Sequence, residues 1–243
     1  MIIRDLLGAG FINGATCLVE RRSWKSEGAQ LADLATRKRT FAIGLHLNLT
    51  EQLDTNSMPA ISLARLAVDR SLTLVGDLRT RFFQQWDAFV QVMGEHPQFI
   101  DGHRHVHLLP AARAALFQLI DDVGFCGWVR QCRTSSQRAG VKRLILDRLS
   151  AVLQGDALAR GVPLNPGFGG LRAFREREDV LSLWSRDLAA MSKGGVLMVH
   201  PGSDAPGDPI GKCRMQEARL LPLLPRMVRE AGLTLQWDAR SQW

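Results

Sequence analysis

Three of the chain's six histidines close short apolar runs: His46 ends AIGLH, His103 ends FIDGH and His200 ends LMVH. Each run then changes character, into NLTEQ after His46, a histidine-rich stretch up to Pro110 after His103, and Pro201-Gly202 after His200. A neutral imidazole can hold zinc or another divalent ion, or move a proton near neutral pH. If the three runs are parallel strands of a barrel, their carboxyl ends share one rim, and three imidazoles reach one mouth. Asp101 stands two residues before His103, so on an extended strand a carboxylate and an imidazole leave the same face. Ligands for an ion, room for water and a proton-handling group are what metal-assisted hydrolysis requires. His105 and His107 continue the alternation only while the strand persists, and Pro110 points to an early end. Three imidazoles from one extended segment reach a single ion poorly, so these two are expected to orient the ligands.

Other reactive residue types carry less. His96 precedes Pro97 in a loop and is taken as structural. Cys126 and Cys132 have no neighbours that would activate a thiolate and are expected to be buried apolar fillers. Ser135-Ser136 lacks the glycine context of a nucleophile elbow.

The positioning elements alternate along the chain. Strands are expected at Ile12 to Val19, Phe41 to Leu47, Phe99 to His103, Gly127 to Gln131, Val196 to His200 and Leu233 to Trp237. Helical periodicity marks Gly76 to Gly94, where Leu78, Phe82, Phe83, Trp86, Phe89, Val90 and Met93 repeat near 3.6 residues. Ala111 to Val123, Val141 to Leu153, Glu178 to Met191 and Gln216 to Ala231 behave alike, with Gly124, Gly194-Gly195 and Gly232 placed to end helices. Gly155 to Leu171 is turn-rich and is expected to form a long connection. The alternation predicts an α/β fold, a parallel sheet covered by helices, as an open sheet or a barrel. No GxGxxG or GxxxxGK[ST] stretch supports nucleotide binding.

Composition narrows the setting. The 243 residues suit one domain, and a 46% hydrophobic fraction is enough for a sizeable core. No apolar run is long enough for a membrane span, and the opening residues lack a signal-peptide pattern. Four scattered cysteines without a CxxC pair argue for a reducing, cytoplasmic setting. The net charge of +7 raises the question of nucleic acid. Tyr is absent, and Trp and Phe do not interleave with the basic clusters, which argues against it.

The segments GLHLNLTEQ (Gly44 to Gln52), IDGHRHVHLLP (Ile100 to Pro110), NPGFGGL (Asn165 to Leu171) and LMVHPG (Leu197 to Gly202) follow one another over nearly the whole chain. In that order they resemble the YdjC-like carbohydrate deacetylases, a family that includes chitooligosaccharide-type and hopanoid-associated members. The resemblance implies a deformed, incomplete (β/α) barrel of the NodB-related polysaccharide deacetylase type. It also implies removal of N-acetyl groups from an acetylated amino sugar with a divalent metal, magnesium or zinc. By motif matching, His46 and His103 fall on the metal histidines, and His200 on the histidine of the HPG motif beside the reacting group. Asp101 is expected to serve catalysis by orienting a histidine or replacing a ligand. Arg130, on an arginine that follows a short strand, and His105 are expected to bind substrate.

One departure matters. Family members begin with a strand ending in Asp-Asp-Phe-Gly, whose carboxylates serve the metal and the attacking water. Here Ile2 onward matches the helix after that strand, and Asp5 lies on the helix. The expectation is therefore a single domain over 1–243 lacking its first strand, with feeble metal affinity and little turnover. Its start is expected to have been placed at an internal Met, the other reading being a truncated form. Exposed strand edges would invite association as a homodimer. Two other readings are an inactive carbohydrate-binding remnant and a barrel phosphoesterase or amidohydrolase.

Overall fold

The computed structural model describes residues 2–53, 58–136 and 140–235. Buried apolar runs become short strands. β1 (Gly14–Cys17), β2 (Ala42–Leu47), β3 (Phe99–Gly102) and β4 (Trp128–Val129) form one sheet in that order, and β5 (Phe168–Gly169) pairs with β6 (Val196–Leu197). Every pair is parallel. Isolated parallel bridges, Val129 to Leu164 and Thr134 to Phe168, link the segment around β4 to that around β5. The α/β expectation is met, while the sheet is not closed into a barrel among the described residues. β2 is buried at five of its six positions, as a parallel strand covered on both faces must be. Its register sets His46 opposite Asp101 on β3.

Nine helices flank these strands among the described residues: α1 (Ile2–Ala9), α2 (Trp24–Arg37), α3 (Leu63–Val68), α4 (Leu72–Met93), α5 (Pro110–Val123), α6 (Val141–Leu158), α7 (Val180–Ala189), α8 (Gly211–Leu220) and α9 (Leu224–Glu230). α4 buries Leu74, Leu78, Phe82, Gln85, Trp86, Phe89 and Met93 along one face. The Ser71 hydroxyl accepts from the Leu74 N–H at its start, and left-handed Gly94 ends it. α5 opens on Pro110, which gives up no needed N–H there, and stops at left-handed Gly124. One contiguous apolar core runs from Leu6 and Leu7 of α1 to Leu224 and Val228 of α9.

Several expectations change. β3 ends at Gly102, and His103–Leu108 winds into 3-10 turns, because Arg104 and His105 adopt left-handed φ values of 51° and 61°. β6 covers only Val196–Leu197, so His200 lies three residues past a strand. The expected connection Gly155 to Leu171 contains the end of α6 and all of β5. Proline at 222 and 225 splits the helix expected over Gln216 to Ala231 into α8, a 3-10 turn and α9. Residues 233–235 form no strand, and the remainder of the strand expected at Leu233 to Trp237 lies outside the described residues. Cys126 is exposed rather than buried.

Candidate functional site

The end of β2 and the end of β3 meet through Asp101. Its Oδ1 lies 2.5 Å from His46 Nδ1, and its Oδ2 lies 3.0 Å from Arg130 Nε. Thr16 Oγ1 stands 3.3 Å from the same His46 nitrogen. A carboxylate accepts, so His46 donates from Nδ1 and leaves Nε2 as its outward nitrogen, the arrangement of a histidine backed by a carboxylate. Burial pushes the Asp101 carboxyl up, but His46 and Arg130 outweigh it and hold it well below the usual carboxylate range.

Arg130 lies just past β4 and is 2% exposed. Its guanidinium also donates to the Gly102 carbonyl at 3.1 Å and sits 5.4 Å over the Phe168 ring. The Arg130 carbonyl accepts from His107 Nε2 at 2.7 Å. His107 is fully buried, and its Nδ1 faces Gly102, where a Cβ would come within 2.8 Å of that nitrogen. Burial first, then the Arg130 charge, pushes the His107 imidazole down to about 3. His107 is thus a neutral brace behind Arg130.

The left-handed pair Arg104–His105 makes the turn that presents His103. Such backbone costs about 1–3 kcal/mol per residue and persists only where surrounding contacts dictate it. His105 Nδ1 supplies two of them, at 3.2 Å from an Arg130 nitrogen and 3.4 Å from Cys132 Sγ, and the His105 ring meets Phe168 edge-on. Burial, with Arg130 next, holds His105 well below the ordinary imidazole value. His103 comes to rest beside His46, ring centroids 5.6 Å apart and planes at 74°. Its Nε2 lies 2.9 Å from Glu51 Oε1, and the two form an ion pair whenever the imidazole is protonated. Burial lowers the His103 imidazole against an opposing pull from Glu51.

Glu51 is held at that point by its own turn. The Asn48 side-chain oxygen accepts from the Thr50 and Glu51 N–H groups, both at 3.2 Å. The Asn48 amide donates to the Glu51 carbonyl and the Glu20 carboxylate, both at 2.7 Å. Gln85 of α4 clamps the Asn48 backbone from both sides, accepting from its N–H and donating to its carbonyl.

His200 is braced from α8. The buried Glu217 carboxylate accepts the His200 backbone N–H and an Arg172 N–H, and Arg172 also meets Glu178 at 3.1 Å. The Phe174 ring packs edge-on against the imidazole, centroids 5.0 Å apart. His200 Nδ1 is buried without a partner. Burial, then the charges of Arg214, His46 and Arg130, pushes this imidazole down to about 3.

The structure therefore groups His46, Asp101, His103, His105 and Arg130, with His200 near enough to feel their charges. His96 instead stacks edge-on against Trp86, away from the group. Glu51, Glu217 and Arg172 were not singled out from the sequence. An asparagine one residue past a strand is a turn signal that could have flagged Glu51. Among the described residues no three His, Cys, Asp or Glu side chains already surround one point. The donor chemistry suits a divalent ion in one respect: His46 is backed by the Asp101 carboxylate, with the His103 ring beside it.

The family model described as YdjC-like protein matches residues 3–234. A protein of Danio rerio named carbohydrate deacetylase is 30% identical over 135 residues, covering 50% of this chain and 42% of that protein. One of Xenopus laevis with the same name is 30% identical over 111 residues, covering 40% of this chain and 36% of that protein. The chain thus spans less than half the length of these curated relatives.

Proposed function

Because the chain belongs to the YdjC-like family, we propose that it is a metal-dependent carbohydrate deacetylase, a hydrolase that cleaves the N-acetyl amide of an amino sugar. The observation that carries this reading is the pairing of His46 and His103, 5.6 Å apart at the ends of neighbouring parallel strands. The names of the relatives point to the same substrate class. The sheet is taken as an arc of a deformed barrel, with the site at the carboxyl ends of its strands.

His46 and His103 would hold the divalent ion, magnesium or zinc. When bound, it supplies Lewis acidity toward the acetyl carbonyl and the attacking water. Asp101 keeps His46 in one tautomer and one orientation, and Arg130 keeps Asp101 ionised. His105 and the wall around Arg130 face the sugar. His200, with Nδ1 unengaged, would relay the attacking water's proton as the new C–O bond forms, not hold one at rest. That proton is the one the nitrogen needs as the C–N bond breaks, leaving acetate and a free amine. Glu217 holds the His200 backbone while this happens.

The test is acetate release from N-acetylated chito-oligosaccharides with Mg²⁺ or Zn²⁺, beside phosphate release from sugar phosphates. Acetate release that is lost with a chelator and with His103→Ala supports the reading. Phosphate release alone, or sugar binding without acetate under every metal, overturns it.

A further inference from the structure

We propose that Phe174 is the residue that aims the His200 imidazole, a positioning residue for the proton relay. This deepens the deacetylase reading above and rests on it. An imidazole that relays a proton must point one way, and a hydrogen bond to the ring ordinarily fixes that direction. Among the described residues the His200 ring has none. Its Nδ1 is buried without a partner, and its bond to Glu217 is made by the backbone N–H. What the ring does meet is Phe174, with centroids 5.0 Å apart and planes at 83°. An edge-on aromatic contact sets the angle of a ring as well as its distance.

The backbone is strained to bring Phe174 there. Its φ is 55°, a left-handed value that bulky side chains avoid and that persists only where neighbours dictate it. Glu178 is one such neighbour, accepting from the Ala173 N–H at 3.4 Å and from Arg172 Nε at 3.1 Å. The two residues before Phe174 are thereby fixed. The Arg172 guanidinium sits 5.5 Å over the Phe174 ring and is itself bound to the buried Glu217. Glu217 therefore reaches His200 by two routes, directly to its backbone and through Arg172 and Phe174 to its ring. Core filling does not account for the strain, because Phe174 is only half-buried and belongs to neither apolar cluster.

The experiment reads the imidazole directly. Three-bond couplings from the His200 backbone to its Cγ, measured by NMR on the labelled full chain, report the χ1 rotamer. The wild type is expected to show a single staggered rotamer. Phe174→Leu, which keeps apolar bulk and loses the ring, is expected to show averaged couplings, and Phe174→Tyr to return the single rotamer. Loss of a neighbouring ring cannot by itself alter these couplings. Circular dichroism and melting of each variant establish folding. Should Phe174→Leu not fold, Glu178→Gln, which loosens the turn without removing either ring, must show the averaging. In acetate release from N-acetylated chito-oligosaccharides, Phe174→Leu is expected to lower kcat by about 10–100-fold with KM unchanged, as a misaimed group does. Phe174→Tyr should restore most of that loss. A single His200 rotamer in the folded Leu variant overturns the assignment, as does an unchanged kcat. If the wild type releases no acetate under any metal, the deacetylase reading falls, and the couplings alone decide whether Phe174 aims His200.

Discussion

A buried carboxylate is tolerated when its charge is met, and Asp101 is met by Arg130 on one oxygen and His46 on the other. Removing it would leave the Arg130 guanidinium inside the protein with a carbonyl, sulfur atoms and an aromatic face for company. Asp101→Ala is therefore expected to cost about 3–5 kcal/mol, the usual penalty for stranding one partner of a buried pair. Urea unfolding measures it, and a loss under 1 kcal/mol would refute the account. Asp101→Asn preserves shape but weakens the hold on the His46 tautomer, so divalent-metal affinity should fall by about 10–100-fold. Residues of this kind were only partly legible. His46 and His103 could be found because each closes an apolar run, and Asp101 because it shares the second run. Glu217 and Arg172 could not. Their partners stand 17 and 45 positions away along the chain, and no local pattern encodes a contact made by the fold.

Elements set the distances between these residues, and one tight tolerance lies between β2 and β3. A Cβ on Gly44 would stand 2.7 Å from the Phe99 carbonyl oxygen and 2.8 Å from its ring. The backbone oxygen cannot swing aside, so Gly44→Ala must push the two strands apart two residues before His46. A loss of about 1–3 kcal/mol is expected, as for other overpacked cores, together with weaker metal binding. Unchanged melting and affinity would show that the strands have slack. β2 and the long helices were readable because periodicity and burial agree over many residues. β5 was not: two residues within a proline- and glycine-rich stretch have no periodicity. Its place comes from tertiary bonds, the Phe168 carbonyl accepting from the Ser135 N–H at 2.9 Å and the Gly170 N–H donating to Asp187 at 2.8 Å. The turn at Arg104–His105 was equally hidden, since its left-handed backbone is held by Arg130 and Cys132 rather than by glycine.

For the molecule as a whole, the histidines make stability depend on pH. His107 and His200 are kept neutral with imidazoles pushed down to about 3, against 6.5 when free. Between those values the unfolded chain binds protons that the folded chain refuses. Stability therefore rises with pH across this window and is lost as pH falls from about 6.5 toward 3. Each group adds about 1.4 kcal/mol per pH unit in mid-window, and His103 and His105, also lowered, act in the same sense. Below the ordinary carboxylate value Asp101 adds a further loss, because its folded form is held ionised. The net charge of +7 grows on acidification, and self-repulsion works in the same direction. Urea unfolding at pH 7, 6, 5 and 4.5 should steepen to about 3 kcal/mol or more per pH unit over the lower interval. His107→Leu should cut that slope by about one group's share, whatever it does to stability at pH 7. The slope reads the proton difference rather than the packing. A flat profile from pH 7 to 4.5 would mean that these imidazoles take up protons in the folded chain, and that the site is wetter than its burial implies.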